Sequence, residues 1–127
     1  MTVATKSTLR SRKGLPSEKL LTTIADHVLG KRYDLSVAFV GDHRARTLNK
    51  KYKKKDAPTN VLSFPLADDA GEIILNPRRA TRDAKKFDHT PHEHVVYLYI
   101  HGLLHLKGHA HGSTMESEEK RLLKKFV

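Results

Sequence analysis

The sequence predicts an α+β fold in which a small mixed β-sheet of about four strands is flanked by about five helices. Three observations predict it. At 127 residues with no internal repeat, the chain has the length of a single domain, taken as residues 1–127. β-rich runs and segments of helical apolar spacing both occur along it. One segment, Val95 to Leu106, is apolar almost all round, the pattern of a central buried helix that other elements must cover. A domain of this size buries roughly two-thirds of the surface its unfolded chain exposes, enough for one core.

The elements follow in order. Residues 1–14 carry a weak Thr/Val/Ser pattern among charges, readable as an edge strand or a loose arm. A helix is predicted over 17–29, where Leu20, Leu21, Ile24, Ala25 and Val28 recur at helical spacing between Pro16–Ser17 and Gly30. Leu35 to Val40 reads as a strand. Asp42 is placed to cap a short helix running through Tyr52. The run Asn60–Pro65 reads as a strand that Pro65 ends or confines to a sheet edge. Gly71–Pro77 reads as its partner across the acidic turn Ala67–Ala70, and a helix follows from Pro77 to Phe87. Thr90-Pro91-His92-Glu93 combines a capping box with proline at the first helical position, opening a helix that runs to Lys107 and stops at Gly108. Ser113 with Glu116 is a second capping box, starting a last helix with Leu122, Leu123 and Phe126 inward.

Composition narrows the chemistry. With no cysteine there is no disulfide framework, and any metal must be held by nitrogen or oxygen; nine histidines favour nitrogen. No stretch approaches the ~20 apolar residues of a membrane span. The N-terminal Lys6, Arg10, Arg12 and Lys13 lack the apolar run of a secretory signal, so the expected location is cytoplasmic. The net charge of +10 favours polyanionic partners over a merely solubilising surface because the charge is clustered. From Arg44 to Lys55 seven basic residues (Arg44, Arg46, Lys50, Lys51, Lys53, Lys54 and Lys55) occur without one acid, and these are the candidate RNA-binding residues. A second group is Arg78, Arg79, Arg82, Lys85 and Lys86. With few aromatics and no tryptophan, phosphate contacts should dominate any nucleic-acid affinity.

The histidines carry the sharpest signal. His101 and His105 stand four residues apart on the central helix, about 400° of turn, so both imidazoles leave one face a turn apart and two Nε2 atoms can meet one tetrahedral ion. Leu98, Ile100, Leu103, Leu104 and Leu106 surround the pair, and burying two unpartnered histidines would be costly. Gly108 lets the chain fold back, and both His109 and His111 could supply a third ligand. His111 is preferred, since three residues after the helix give room to return. His94 lies on the same stripe but about 10 Å from His101, too far to share the ion. His27, His43, His89 and His92 read as surface or structural histidines. Where a zinc peptidase would carry glutamate after its first histidine, this chain has Gly102, which argues against peptide hydrolysis by that route.

The run His101-Gly-Leu-Leu-His-Leu-Lys-Gly-His-Ala-His111 resembles the HGxLHLxGxxH signature of the YbeY family, bacterial endoribonucleases of ribosomal RNA maturation. Leu48-Asn49-x-x-Tyr52 followed by Asp56-x-Pro58-Thr59-Asn60-Val61-Leu62-Ser63-Phe64-Pro65 is similar to the family's other block, in the same order, across residues 17–126. The resemblance implies one zinc on His101, His105 and His111, and a cleft that cuts single-stranded RNA at the 3′ end of the small-subunit ribosomal RNA, with a part in ribosome quality control. It also implies catalytic positions at Lys53 and His101. The small ribosomal subunit, a ribosomal protein and an Era-like GTPase are the implied partners. Two departures stand out. Lys53 replaces the family's arginine, a point charge in place of a planar fork. His109-Ala110 replaces Tyr-Asp, removing a carboxylate that would orient a ligand imidazole.

A three-histidine zinc with an open position would lower the pKa of bound water toward ~7 or polarise a phosphoryl oxygen. No general base stands out, since Glu116, Glu118 and Glu119 read as solvated charges on the last helix, and the RNA 2′-OH is an alternative nucleophile. The alternative of another class is a non-catalytic RNA-binding assembly factor with a structural zinc, a closed site for which His109 would be the fourth ligand.

Overall fold

Alternation of apolar residues decides how the sheet is covered. In β2 (Asp34–Phe39), Leu35, Val37 and Phe39 share one face with Ile73 and Leu75 of β4 (Ala70–Leu75), while Ala38 and Ile74 share the other. The computed structural model describes residues 3–9, 13–57, 59–110 and 112–127. Among these the sheet has four strands in the order β1 (Val3–Ser7), β2, β4, β3 (Val61–Ala67). β1 and β4 run parallel to β2, and β3 runs antiparallel to β4. The sheet is therefore mixed. The N-terminal segment supplies an edge strand, although Arg10 and Arg12 lie outside the described residues. Pro65 sits in the other edge strand, beside a register shift between Pro65 and Ala67, where its missing N–H interrupts no interior ladder.

Helices α1 (Glu18–Leu29) and α4 (Pro91–Lys107) cover the first face, and α2 (Asp42–Lys53) covers the second through Ala45 and Leu48. The fold is completed by α3 (Pro77–Ala84), extended by a 3-10 turn at Lys85–Phe87, and by α5 (Ser113–Phe126). No helix among the described residues is long and apolar enough to cross a membrane.

α4 is buried on nearly every side, and its ends match the sequence. Thr90 and Glu93 form both bonds of the capping box, and Gly108 ends the helix at a φ of 108°. Tyr99, fully buried, donates a hydrogen bond to the Leu21 carbonyl at 2.8 Å and ties α4 to α1. Gly102 lies against β4: a Cβ there would come within 3.1–3.3 Å of three carbons of Ile73. The glycine found where a peptidase would carry its general base thus lets the helix sit close on the sheet.

Two helix starts differ from expectation. α5 begins at Ser113 itself, after Gly112, so the Ser113 hydroxyl stands inside the helix and forms no capping box; the Glu116 N–H bonds the Gly112 carbonyl instead. α2 likewise begins at Asp42 after Gly41. The Asp42 carboxylate turns outward to accept from Asn76 at 2.7 Å and from Arg82 at 2.7 Å.

Candidate metal centre and cleft

Edge strand β3 is where α4, from one face, and the end of α2, from the other, approach each other. His101 and His105 project there from α4, both half-buried, with their Nε2 atoms 3.1 Å apart. Two nitrogens bound to one tetrahedral zinc at 2.0–2.1 Å would be about 3.3 Å apart, so the pair fits such an ion in spacing and donor chemistry. His111 lies outside the described residues. No group of three metal-binding side chains occurs among the described residues.

The other ring nitrogen of His101 points into the protein. Nδ1 lies 2.8 Å from Oε2 of Glu119, which is only 2% exposed. With Nδ1–H donating to that carboxylate, the Nε2 lone pair is directed at the space shared with His105. Glu119 therefore corrects the expectation of a solvated charge, and it provides from α5 a carboxylate of the kind that Ala110 removes from the loop. A signal for it existed in the sequence. Met115, Glu119, Leu122 and Phe126 fall on one helical stripe, and a carboxylate on an otherwise apolar stripe needs a partner. Burial, then the neighbouring Glu119 charge, push the Tyr97 hydroxyl up to about 12.

The histidine pair lines a cavity of about 580 Å³ together with Asn49, Lys53, Lys55 and the β3 residues Val61 to Ser63. Lys53 and Lys55 reach it because of the turn between them. Lys54 takes a left-handed conformation at φ 57°, which costs a non-glycine residue roughly 1–2 kcal/mol. Three bonds offset this: Lys54 N–H to Lys50 O, Lys55 N–H to Asn49 O, and the Asn49 amide to Ala57 O at 2.9 Å. Asn49 is buried, so its role is to hold this loop.

Of the seven basic residues from Arg44 to Lys55, the fold brings Lys53 and Lys55 to the cleft. Arg46 is engaged by Asp56 at 2.6 and 3.1 Å. Arg44 lines another cavity, beside Tyr52 and Lys6. Lys51 lies over the Tyr52 ring at 5.2 Å, and Lys50 and Lys54 are exposed without lining the cleft. Pro58, within the same motif block, lies outside the described residues.

The remaining histidines separate from the site. His109 lines a small cavity with His27, Lys107 and Glu118, on the side of α4 toward α1. His94 is fully buried, with Nδ1 3.0 Å from Nδ1 of His89, and burial pushes its pKa down. Asn76, also buried, joins three segments: its amide donates to Asp42 and to Thr59 O, and its oxygen accepts from Arg79 N–H. It fixes the start of β3 against α2 and α3.

The sequence profile described as "Endoribonuclease YbeY" matches residues 6–126. The chain belongs to the YbeY endoribonuclease family. Relatives named Endoribonuclease YbeY include one from Carboxydothermus hydrogenoformans, 39% identical over 75% of this chain and 68% of its own length. Another, from Chelativorans sp., is 36% identical over 87% of this chain and 74% of the relative. The solution structure of TM1509 from Thermotoga maritima aligns with a TM-score of 0.71 at 27% identity, covering 98% of this chain and 88% of that one. The two blocks that carried the YbeY resemblance, one around Leu48–Pro65 and one starting at His101, contribute described residues to the same cleft.

Proposed function

We propose that this chain is a zinc-dependent, single-strand-specific endoribonuclease. In that reading His101, His105 and His111 hold the ion and the lysine-rimmed cleft holds the RNA backbone. The observation that carries it is the convergence of the two Nε2 atoms at 3.1 Å in a cavity that also receives Lys53 and Lys55. Zinc, when bound, supplies Lewis acidity toward a phosphoryl oxygen and lowers the pKa of water.

The chain's own residues do the rest. Lys53 and Lys55 attract the phosphodiester and offset the charge that develops on it. Glu119 keeps His101 in the tautomer whose Nε2 faces the cleft. The reading extends to a cytoplasmic role in trimming the 3′ end of the small-subunit ribosomal RNA and in ribosome quality control. There the partners are the small subunit, a ribosomal protein and an Era-like GTPase. The family and the basic surface support that extension. A closed structural zinc site is disfavoured by His109, which lines a different cavity.

The decisive experiment is cleavage of a single-stranded RNA by the zinc-loaded protein and by His105→Ala, with RNA-binding titrations of both. Cleavage lost in the variant while binding survives supports the nuclease. Tight, salt-sensitive binding without cleavage by the wild type would replace it with an assembly factor. Equal cleavage by both would expose a contaminant.

A further inference from the structure

His101 borders two cavities, and apart from His101 itself and Glu119, which holds its ring, the residues of the second have no part in the metal chemistry described above. It measures about 350 Å³ and, like the first, includes Val61 and His101 in its lining. The two differ in character. The first presents Lys53 and Lys55; among the described residues the second presents no lysine or arginine but the glutamates Glu116 and Glu119, with the rings of Phe87 and Tyr97 and the amide of Asn60. A phosphate would be drawn to the first and repelled from the second. A neutral, flat group carrying N–H donors suits the second, stacking on the rings and donating to Glu116.

Phe87 is built to serve as such a platform. It ends the 3-10 turn Lys85–Phe87, where Asp88 turns left-handed at φ 57° and closes the segment. It remains 49% exposed although it is a large apolar ring. Its ring is braced by His94 at 4.8 Å, Tyr97 at 5.4 Å and His89 at 5.8 Å, so it is held in place without being covered. Asn60 is fixed by its bond to Asp83 at 3.2 Å.

From this arrangement we infer that the second cavity binds one unpaired nucleobase of the RNA, from a nucleotide next to the bond that is cut. The inference rests on the endoribonuclease reading for its placement beside the scissile phosphate. It gives a physical reason for single-strand selectivity: a base enters the cavity only after leaving its stack and its pairing partner. The backbone then lies in the lysine cleft on the other side of His101.

The test walks a single abasic nucleotide along an otherwise cleavable single-stranded RNA and maps the products of the zinc-loaded protein. The wild type is expected to show one bond, at a fixed offset from the abasic position, cut roughly 5- to 150-fold more slowly, the loss of one base–aromatic stack. Phe87→Ala should slow cleavage at every bond by a similar factor and abolish the position-specific dip, while Phe87→Trp restores it. A second measurement does not require cleavage: a 2′-O-methyl RNA carrying 2-aminopurine should be quenched by the wild type and much less by Phe87→Ala. Because Phe87 is half exposed, circular dichroism of the variant should match the wild type. Phe87-dependent quenching without any cleavage would sink the nuclease reading and leave the base site standing. Cleavage with no abasic dip, and quenching that Phe87→Ala leaves unchanged, would overturn the base site.

Discussion

The Glu119 carboxylate lies 2.8 Å from Nδ1 of His101, joining α5 to the histidine pair on α4. The contact is almost shielded from water, with Glu119 2% exposed. One consequence concerns metal affinity. Glu119→Gln keeps an acceptor for Nδ1–H but removes the charge, and Glu119→Ala removes both. Zinc affinity, measured by chelator competition, is expected to fall on the order of 10- to 100-fold in Glu119→Ala and less in Glu119→Gln. In the metal-free protein, imidazole NMR should report the His101 tautomer with its proton on Nδ1 in the wild type and a mixture in Glu119→Ala. Unchanged affinity and tautomer would mean that Glu119 only fills space.

The cleft assigns unequal weight to residues that look alike in the basic run. Lys53→Met and Lys55→Met should each weaken single-stranded RNA binding and reduce the slope of log affinity against log salt by about 0.7. Arg46→Met should leave that slope nearly unchanged, because the guanidinium is already engaged by Asp56. Titrations at several salt concentrations distinguish these outcomes. Equal slopes for all three variants would imply a diffuse surface instead of a cleft.

Asn76 sets the position of the site without touching it. Its side chain is buried and makes three hydrogen bonds, so Asn76→Ala leaves the Thr59 carbonyl without that donor and removes the bond to the Asp42 carboxylate. Urea denaturation should show a loss of about 2–3 kcal/mol. Asn76→Asp should be no better, since it would set a second carboxylate against that of Asp42.

His94 makes stability depend on pH. Burial disfavours its imidazolium, and the charge of nearby His89 adds to this, so its folded pKa lies below 6.5, with Asp83 opposing. The unfolded chain takes up that proton as pH falls below 6.5 while the folded chain resists it. The stability gained from a neutral His94 is complete above pH 6.5 and declines as pH drops toward the folded value. Urea midpoints at pH 7.5 and 5.5 should therefore differ more in the wild type than in His94→Phe, which keeps the aromatic contacts and cannot titrate.

Local pattern alone carried much of this protein. The capping box at Thr90–Glu93, the stop at Gly108 and the apolar run between them defined α4, because each signal acts within one or two turns of backbone. The i, i+4 spacing of His101 and His105 defined their shared face for the same reason. The β-rich runs Leu35–Val40 and Gly71–Pro77 marked β2 and β4, and Pro65 marked an edge.

What the tertiary structure alone decided are the pairings between distant segments. Ser113 lost its capping role because Gly112 occupies the cap position and α5 begins at Ser113, a difference of one residue that motif reading does not resolve. The seven basic residues of the Arg44–Lys55 run have equal charge in sequence. Only the left-handed turn at Lys54 and the Arg46–Asp56 pair separate the two that reach the cleft from the five that do not. Glu119 is 18 positions from His101, and Phe87 is 14 positions from it. A charge or ring has no preferred partner until packing removes water from one side of it, and that desolvation is a property of the assembled fold.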